Sequence, residues 1–204
     1  MGTAEQQPHR ITMTRAARRI LDAAERLFYE RGIHAVGVDL IAAEAGVTKK
    51  TLYDRFGSKE RIVVEYLADR DARWRAFLAH YLDDHLDAAH ATPQAHVLAV
   101  FDASRAWSVE HGSKGCSMVN AHAEISDPAH PAHPVIAGQK EWMLALFIRL
   151  ARDIAPHDSD RLGRTLMLLH EGALVAHGLN TFPDPIAHAR EQAEALLQAP
   201  QGRP

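Results

Sequence analysis

"GVTKKTLYDRF", residues 46–56, sets a glycine and two β-branched residues ahead of a lysine pair and an aromatic-bearing segment. Gly46 suits a tight turn because it takes positive φ without a Cβ penalty. Thr48 is placed to cap a helix that runs to about Phe56, where Gly57-Ser58 breaks it. Upstream, Val38 to Ala45 reads as a short helix. Two short helices joined by so tight a turn have the spacing of a helix-turn-helix. Ala42 is small enough to let the pair cross closely. Val47, Leu52 and Phe56 are the expected interior, with Ile41 beneath them against Leu27 and Phe28. That leaves Lys49, Lys50, Thr51, Tyr53 and Arg55 on or near the outer face. A second helix with cations at its N-terminal end, standing proud of a three-helix core, is the arrangement that enters a major groove.

The charge distribution agrees. The whole chain carries a formal −3, which gives no hint of nucleic acid. Residues 1–61, however, hold 11 Lys+Arg against 8 Asp+Glu, and the remainder 12 against 18. A basic first third on an acidic body points to a charged partner for the first part only. The single cysteine, Cys116, excludes an internal disulfide and fits a reducing compartment. The opening residues lack the apolar core of a secretory signal. No stretch reaches the ~18 apolar residues of a membrane span. The nearest, Leu166 to Leu179, is interrupted by His170, Glu171 and His177. A cytoplasmic protein with no membrane partner is expected.

Outward from the motif, the pattern is helical throughout. Residues 1–12 are polar and read as a flexible tail. A first helix follows, capped by Thr12 or Thr14 and ended by Gly32, with Ile20, Ala24, Leu27 and Phe28 at helical spacing. Ser58 is placed to cap a long fourth helix that carries Ile62, Tyr66, Leu67, Trp74, Phe77, Leu78, Tyr81 and Leu82. Further helices are expected over about 94–110, 118–125, 135–154, 159–179 and 185–197. The segment ISDPAHPAHP has too many prolines to be helical throughout. The result is an all-α chain of about nine helices: a DNA-binding head at 13–61, a larger body at 62–199 and a short tail at 200–204.

Residues 15 to about 67 resemble the DNA-binding domain of the TetR family of transcriptional repressors. The carrying stretch is "AARRILDAAERLFYERGIHAVGVDLIAAEAGVTKKTLYDRFGSKERIVVEYL", and its most specific part is "AGVTKKTLYDRFGSKE". "GCSMVNAHAEISDPAHP" resembles a segment that recurs in one branch of that family. The resemblance implies roles. Thr48 would touch phosphate, while Lys49, Lys50 and Thr51 would face the groove and read base edges or flanking phosphates. Tyr53 would hydrogen-bond a phosphate, and Lys59 would hold one at the head of the fourth helix. Chemistry agrees, since lysine suits phosphate or a guanine edge and hydroxyls suit phosphate. Arg15, Arg18 and Arg19 are further candidates. Two positions depart from the family pattern. Gly37 stands where Ser or Thr commonly caps the second helix, so a side-chain phosphate contact is lost there. Arg55 takes the place of a common histidine, beside the negative Asp54.

A head of this kind reads few base pairs, so specific binding calls for two half-sites and a homodimer. The stretch "RLGRTLMLLHEGALVAHGL" is apolar on nearly every side, as in a helix buried on two sides. Leu166, Leu169 and Ala173 on it, with Ile186, Ala189, Ala193, Leu196 and Leu197 on the last helix, are the expected subunit interface. The family pairs these helices into a four-helix bundle. Its body holds a small-molecule inducer, for which Phe101, Trp107, Met118, Asn120, His122, Trp142, Met143, Leu146, Met167, His170 and Glu171 are candidate lining residues. The expected partners are thus a double-stranded operator, an inducer and a second copy of the chain. The alternative is a metal- or redox-responsive DNA binder. Cys116 could be a redox switch, and twelve of the fourteen histidines follow residue 61, including His122, His130, His133, His170 and His177. No paired cysteines and no H-E-x-x-H occur, so no metal ligand set and no cofactor is assigned. An enzyme is not expected, because no glycine-rich phosphate loop, G-x-S-x-G or Cys-His constellation is present.

Overall fold

The structure is a computed structural model that describes residues 11–86 and 91–198. The expected tails at 1–12 and 200–204 therefore lie outside the described residues, save for Ile11 and Thr12. Nine α-helices and no strand occur among those described: α1 (Arg15–Arg31), α2 (Val38–Glu44), α3 (Lys49–Phe56), α4 (Lys59–His85), α5 (Pro93–His111), α6 (Ser117–Glu124), α7 (His133–Arg152), α8 (Ser159–Leu179) and α9 (Pro185–Gln198).

The chain divides into two compact units. One comprises the chain up to Asp69 together with Ala121–Val135; the other comprises Arg70–Asn120 and the chain from Ile136 onward. The expected boundary at residue 61 differs from this in two respects. The helix α4 is continuous, so the division falls inside it. The segment from Ala121 also joins the first unit, where the Glu124 carboxylate accepts the His34 backbone N–H at 2.8 Å. That contact bridges 90 residues of chain, and no local periodicity foretells it.

In the first unit, Thr14 caps α1 by accepting the Ala17 N–H at 3.2 Å. The apolar face of α1 (Ile20, Leu21, Ala24, Leu27 and Phe28) is buried. It packs on α2 and α3, which pack on each other. Ile41 and Leu52 are wholly buried, Phe56 is buried and Val47 is half-buried. Each fully buried side chain among them contributes about 1.5–3 kcal/mol of transfer free energy. Gly46 makes the turn at φ +59°. Ser58 caps α4 by accepting the Arg61 N–H.

In the second unit, Thr92 caps α5, with Pro93 at its first position. The helix α9 packs on both α5 and α8. Phe101, Met143, Phe147, Leu166 and Ile186 form the centre of its core. The helices α7 and α8 cross closely at Gly163, where an added Cβ would lie 2.8 Å from the Ile148 Cα.

Most of the residues expected at the subunit interface lie inside the protomer. Leu166, Ala173, Ile186, Ala189, Ala193 and Leu197 are buried in the protomer's own core, and Leu169 and Leu196 pack half-buried against it. The outward face of α8 is a different stripe: Leu168 is 74 % exposed, Val175 43 % and Leu179 70 %. The helix is apolar on both sides, so its periodicity did not reveal which side the rest of the chain covers.

Candidate nucleic-acid interface and ligand cavity

On α3 the first turn carries a polar cap. The Thr48 Oγ1 accepts the Thr51 N–H at 3.1 Å and lies 2.9 Å from the Thr51 hydroxyl. Lys49, Lys50, Tyr53 and Arg55 are exposed, and Thr51 is half-buried. Lys49 pairs with Asp39 of α2 at 2.9 Å, and Lys50 with Asp54 one turn on at 2.7 Å. The hydrogen bond and charge of Asp39 raise the Lys49 pKa. Exposed ion pairs of this kind are weak and salt-screened, so they can be exchanged for phosphate. Asp39 has a sequence signal, an acid in the first turn of α2, but pairing with Lys49 across the motif was not legible from it.

Lys59 opens α4 half-buried, and burial lowers its pKa. A cation at a helix N-terminus opposes the helix dipole, whereas an anion there is favoured. A phosphate beside Lys59 would meet the ammonium at the positive end of the α4 dipole. Arg18 and Arg19 are already engaged: Arg18 bonds Asp69 at 3.3 Å, and Arg19 donates to the Gly46 carbonyl at 2.9 Å. Arg15 is exposed. Gly37 precedes α2 with no side-chain cap.

The second unit contains a cavity of about 70 Å³. Of the eleven expected lining residues, Trp107, Met118, His170 and Glu171 border it. Phe101, Met143 and Leu146 are buried in the core, and Met167 packs half-buried against it. Trp142 lies under the Arg75 guanidinium, 4.3 Å from its ring. Asn120 donates to the Lys114 carbonyl at 2.9 Å. His122 is exposed in the first unit, its ring 6.0 Å from that of His133.

Lining residues that sequence patterns did not single out include Arg70, Trp74, Ser104, Ser117, Gln139, Lys140 and Leu174, with Cys116 at the wall. The Lys140 ammonium lies 2.7 Å from Glu171 and 3.1 Å from the Cys116 sulfur. Burial alone would raise the Glu171 carboxyl; the His170 side chain and the Lys140 ammonium outweigh it and bring the pKa down to about 2. Burial would likewise lower Lys140, but Cys116 and Glu171 raise it. Among the described residues, no group of three or more His, Cys, Asp or Glu is placed to hold a metal ion. No helix among them is long and apolar enough to cross a membrane.

An all-α protein with a tri-helical head and a cationic, well-capped second motif helix is of the helix-turn-helix regulator class. A family profile described as "Bacterial regulatory proteins, tetR family" matches residues 20–66. A TetR-family transcriptional regulator from Streptomyces coelicolor shares 32 % identity and a TM-score of 0.80, over 90 % of this chain and 94 % of that one. An uncharacterized HTH-type transcriptional regulator of Mycobacterium tuberculosis is 48 % identical over 52 residues, 26 % of each chain. The HTH-type transcriptional activator FasR of Mycolicibacterium smegmatis is 30 % identical over 134 residues, 66 % of this chain and 58 % of FasR. The chain thus spans about a quarter of the mycobacterial regulator's length and less than two thirds of FasR. The protein belongs to the TetR family of transcriptional regulators.

Proposed function

We propose that the protein binds a near-palindromic operator as a homodimer and represses transcription until a small molecule occupies the cavity. The observation that carries this reading is α3: a capped helix presenting Lys49, Lys50, Thr51 and Tyr53, followed at once by Lys59 on the next helix N-terminus. The lysines and hydroxyls supply phosphate contacts and, from Lys49 and Lys50, donors to guanine edges. Dimerisation would use the outward stripe of α8. Effector control is a population shift: a ligand preferring the conformation whose two heads are wrongly spaced lowers DNA affinity, and DNA lowers ligand affinity by the same factor.

The test is selection from a randomised duplex pool, followed by binding of the winner against salt. An enriched palindrome with a steep salt slope supports the reading. No enrichment by a folded dimer freed of small molecules overturns it. A promoter fusion carrying the winner then reads repression as rising output when the gene is deleted; falling output would make the protein an activator. A second reading, redox control, rests on the Cys116 thiol beside the Lys140 ammonium. It requires that peroxide release DNA from the protein and not from Cys116→Ala.

A further inference from the structure

The outermost ridge of α3 is an ion pair, and one half of it is an acid. Leu52 and Phe56 are the buried residues of this helix. At 3.6 residues per turn, Lys50 and Asp54 lie about 140° and about 180° round the axis from the middle of that buried side. Tyr53 and Arg55 fall on the two flanks, at about 80° either way, and Lys49 at about 40°. Exposure follows this order in part: the Lys50 side chain is 84 % exposed and that of Asp54 57 %. Lys49, nearer the buried side, reaches across to Asp39 of α2. On the ridge, the Lys50 ammonium donates to the Asp54 Oδ2 at 2.7 Å.

A helix in a major groove turns its ridge to the base edges and its flanks to the phosphates. An ionised carboxylate only accepts hydrogen bonds, and an ammonium only donates them. In the groove, guanine offers two acceptors, N7 and O6. Thymine offers the O4 acceptor beside a methyl group, adenine a donor beside an acceptor, and cytosine the N4 amino donor alone. Cytosine is thus the edge that gives a carboxylate a donor with no acceptor beside it. Guanine is the edge richest in acceptors for an ammonium. The two occur together in one base pair, where the cytosine N4 donates to the guanine O6 over about 2.9 Å. The second N4 hydrogen and the second O6 lone pair face the groove. Lys50 and Asp54 present a donor and an acceptor 2.7 Å apart, nearly the same separation in the complementary order. The ammonium has protons to spare and the carboxylate lone pairs to spare, so the ion pair need not break to bind.

We propose that Lys50 and Asp54 read one G·C base pair of each operator half-site as a unit, Lys50 donating to the guanine O6 and Asp54 accepting the groove-side N4–H of the paired cytosine. This rests on reading α3 as the helix that enters the major groove. Asp54 is then a specificity-determining residue. Its charge opposes binding to DNA at large and is offset only where a base donor meets it, which is how an interface rejects wrong partners. The groove pattern also ranks the wrong pairs. A reversed C·G pair, or A·T, sets the carboxylate against an acceptor and the ammonium against an amino group. T·A keeps the central acceptor and donor, but puts a methyl group beside the ammonium and the adenine N7 beside the carboxylate.

The test starts from the operator that the full chain selects from a randomised duplex pool. Binding of the wild type, Lys50→Ala and Asp54→Ala to it is followed by fluorescence anisotropy, after thermal melts show both variants folded. At one position per half-site the wild type should prefer G·C, with T·A at least roughly threefold weaker and C·G and A·T at least roughly thirtyfold weaker. Both substitutions should shrink that preference at least roughly fivefold, at that same position and at no other. N4-methylcytosine placed there removes the groove-side hydrogen and keeps the Watson–Crick one. It should weaken the wild type at least roughly fivefold and Asp54→Ala less than about twofold. Substitutions that act at two different base pairs overturn the proposal. So does an unchanged preference in Asp54→Ala, or an equal loss of both proteins on N4-methylcytosine. An operator without such a position overturns the proposal and leaves operator binding standing. A pool that yields no operator overturns both.

Discussion

The Lys140–Glu171 pair shows how much one contact can set at the scale of a residue. Both side chains are about one-fifth exposed, so solvent screens the pair only in part. Removing the cation leaves a carboxylate in a poorly solvated site. For a fully buried pair that costs about 3–5 kcal/mol, and partial exposure reduces it to roughly 2. Lys140→Met should therefore lower the unfolding free energy by about 2 kcal/mol in urea titrations. The double change Lys140→Met with Glu171→Leu should recover most of it, because no lone charge remains. The pH dependence follows from Glu171. Its carboxyl is depressed from 4.5 to about 2 in the folded state. Its contribution is thus fully present above about pH 4.5 and is lost as pH falls toward 2. Between pH 5 and pH 3, the protein should lose more stability than Glu171→Gln does, measured by the same titrations. Equal losses would mean that the carboxylate is not held by its neighbours. Neither partner was paired in the sequence, where Lys140 and Glu171 stand 31 residues apart on separate helices.

Helix ends, at the scale of the element, were legible because they are written in local chemistry. Thr14, Thr48, Ser58 and Thr92 each cap through a side-chain oxygen, and Thr14, Thr48 and Ser58 could be read from sequence. Helix rotation was not legible where apolar residues surround the axis, as on α8. The close approaches were hidden too, since they depend on which backbone lies opposite. Gly178 on α8 is one: an added Cβ would lie 2.9 Å from the Lys114 carbonyl oxygen and 3.1 Å from the Gly115 Cα. Backbone cannot swing aside as a side chain can. Gly178→Ala gains about 1 kcal/mol of helix propensity but overpacks at a typical cost of about 1–3 kcal/mol. A net destabilisation is expected, read as a lower urea midpoint at unchanged m-value. A midpoint that rises would show that the backbone at Lys114 and Gly115 yields freely.

On the whole-molecule scale, the basic residues 1–61 carry the helix-turn-helix and the rest of the chain is acidic, and a dimer is what would let two heads read one operator. The stripe Leu168, Gly172, Val175 and Leu179 advances by four, three and four residues, close to the 3.5-residue period of a helix that faces a partner. The residues first expected there, such as Leu166 and Leu197, serve the protomer's own core instead. This separation gives opposite outcomes for the same chemical change. Leu168→Glu with Val175→Glu places two charges on an exposed stripe, so the chain should fold normally and sediment as a monomer. Leu197→Glu buries a charge in the core, so that chain should lose its cooperative melt. Monomers hold one half-site each and forfeit the linkage between heads, which typically multiplies affinity by about 10²–10⁴. Operator affinity of the double variant should drop by at least roughly a hundredfold. The slope of log affinity against log salt should be halved, since half the phosphates are contacted. A double variant that stays dimeric with full operator affinity would place the interface elsewhere on the second unit and remove the outward stripe of α8 from it.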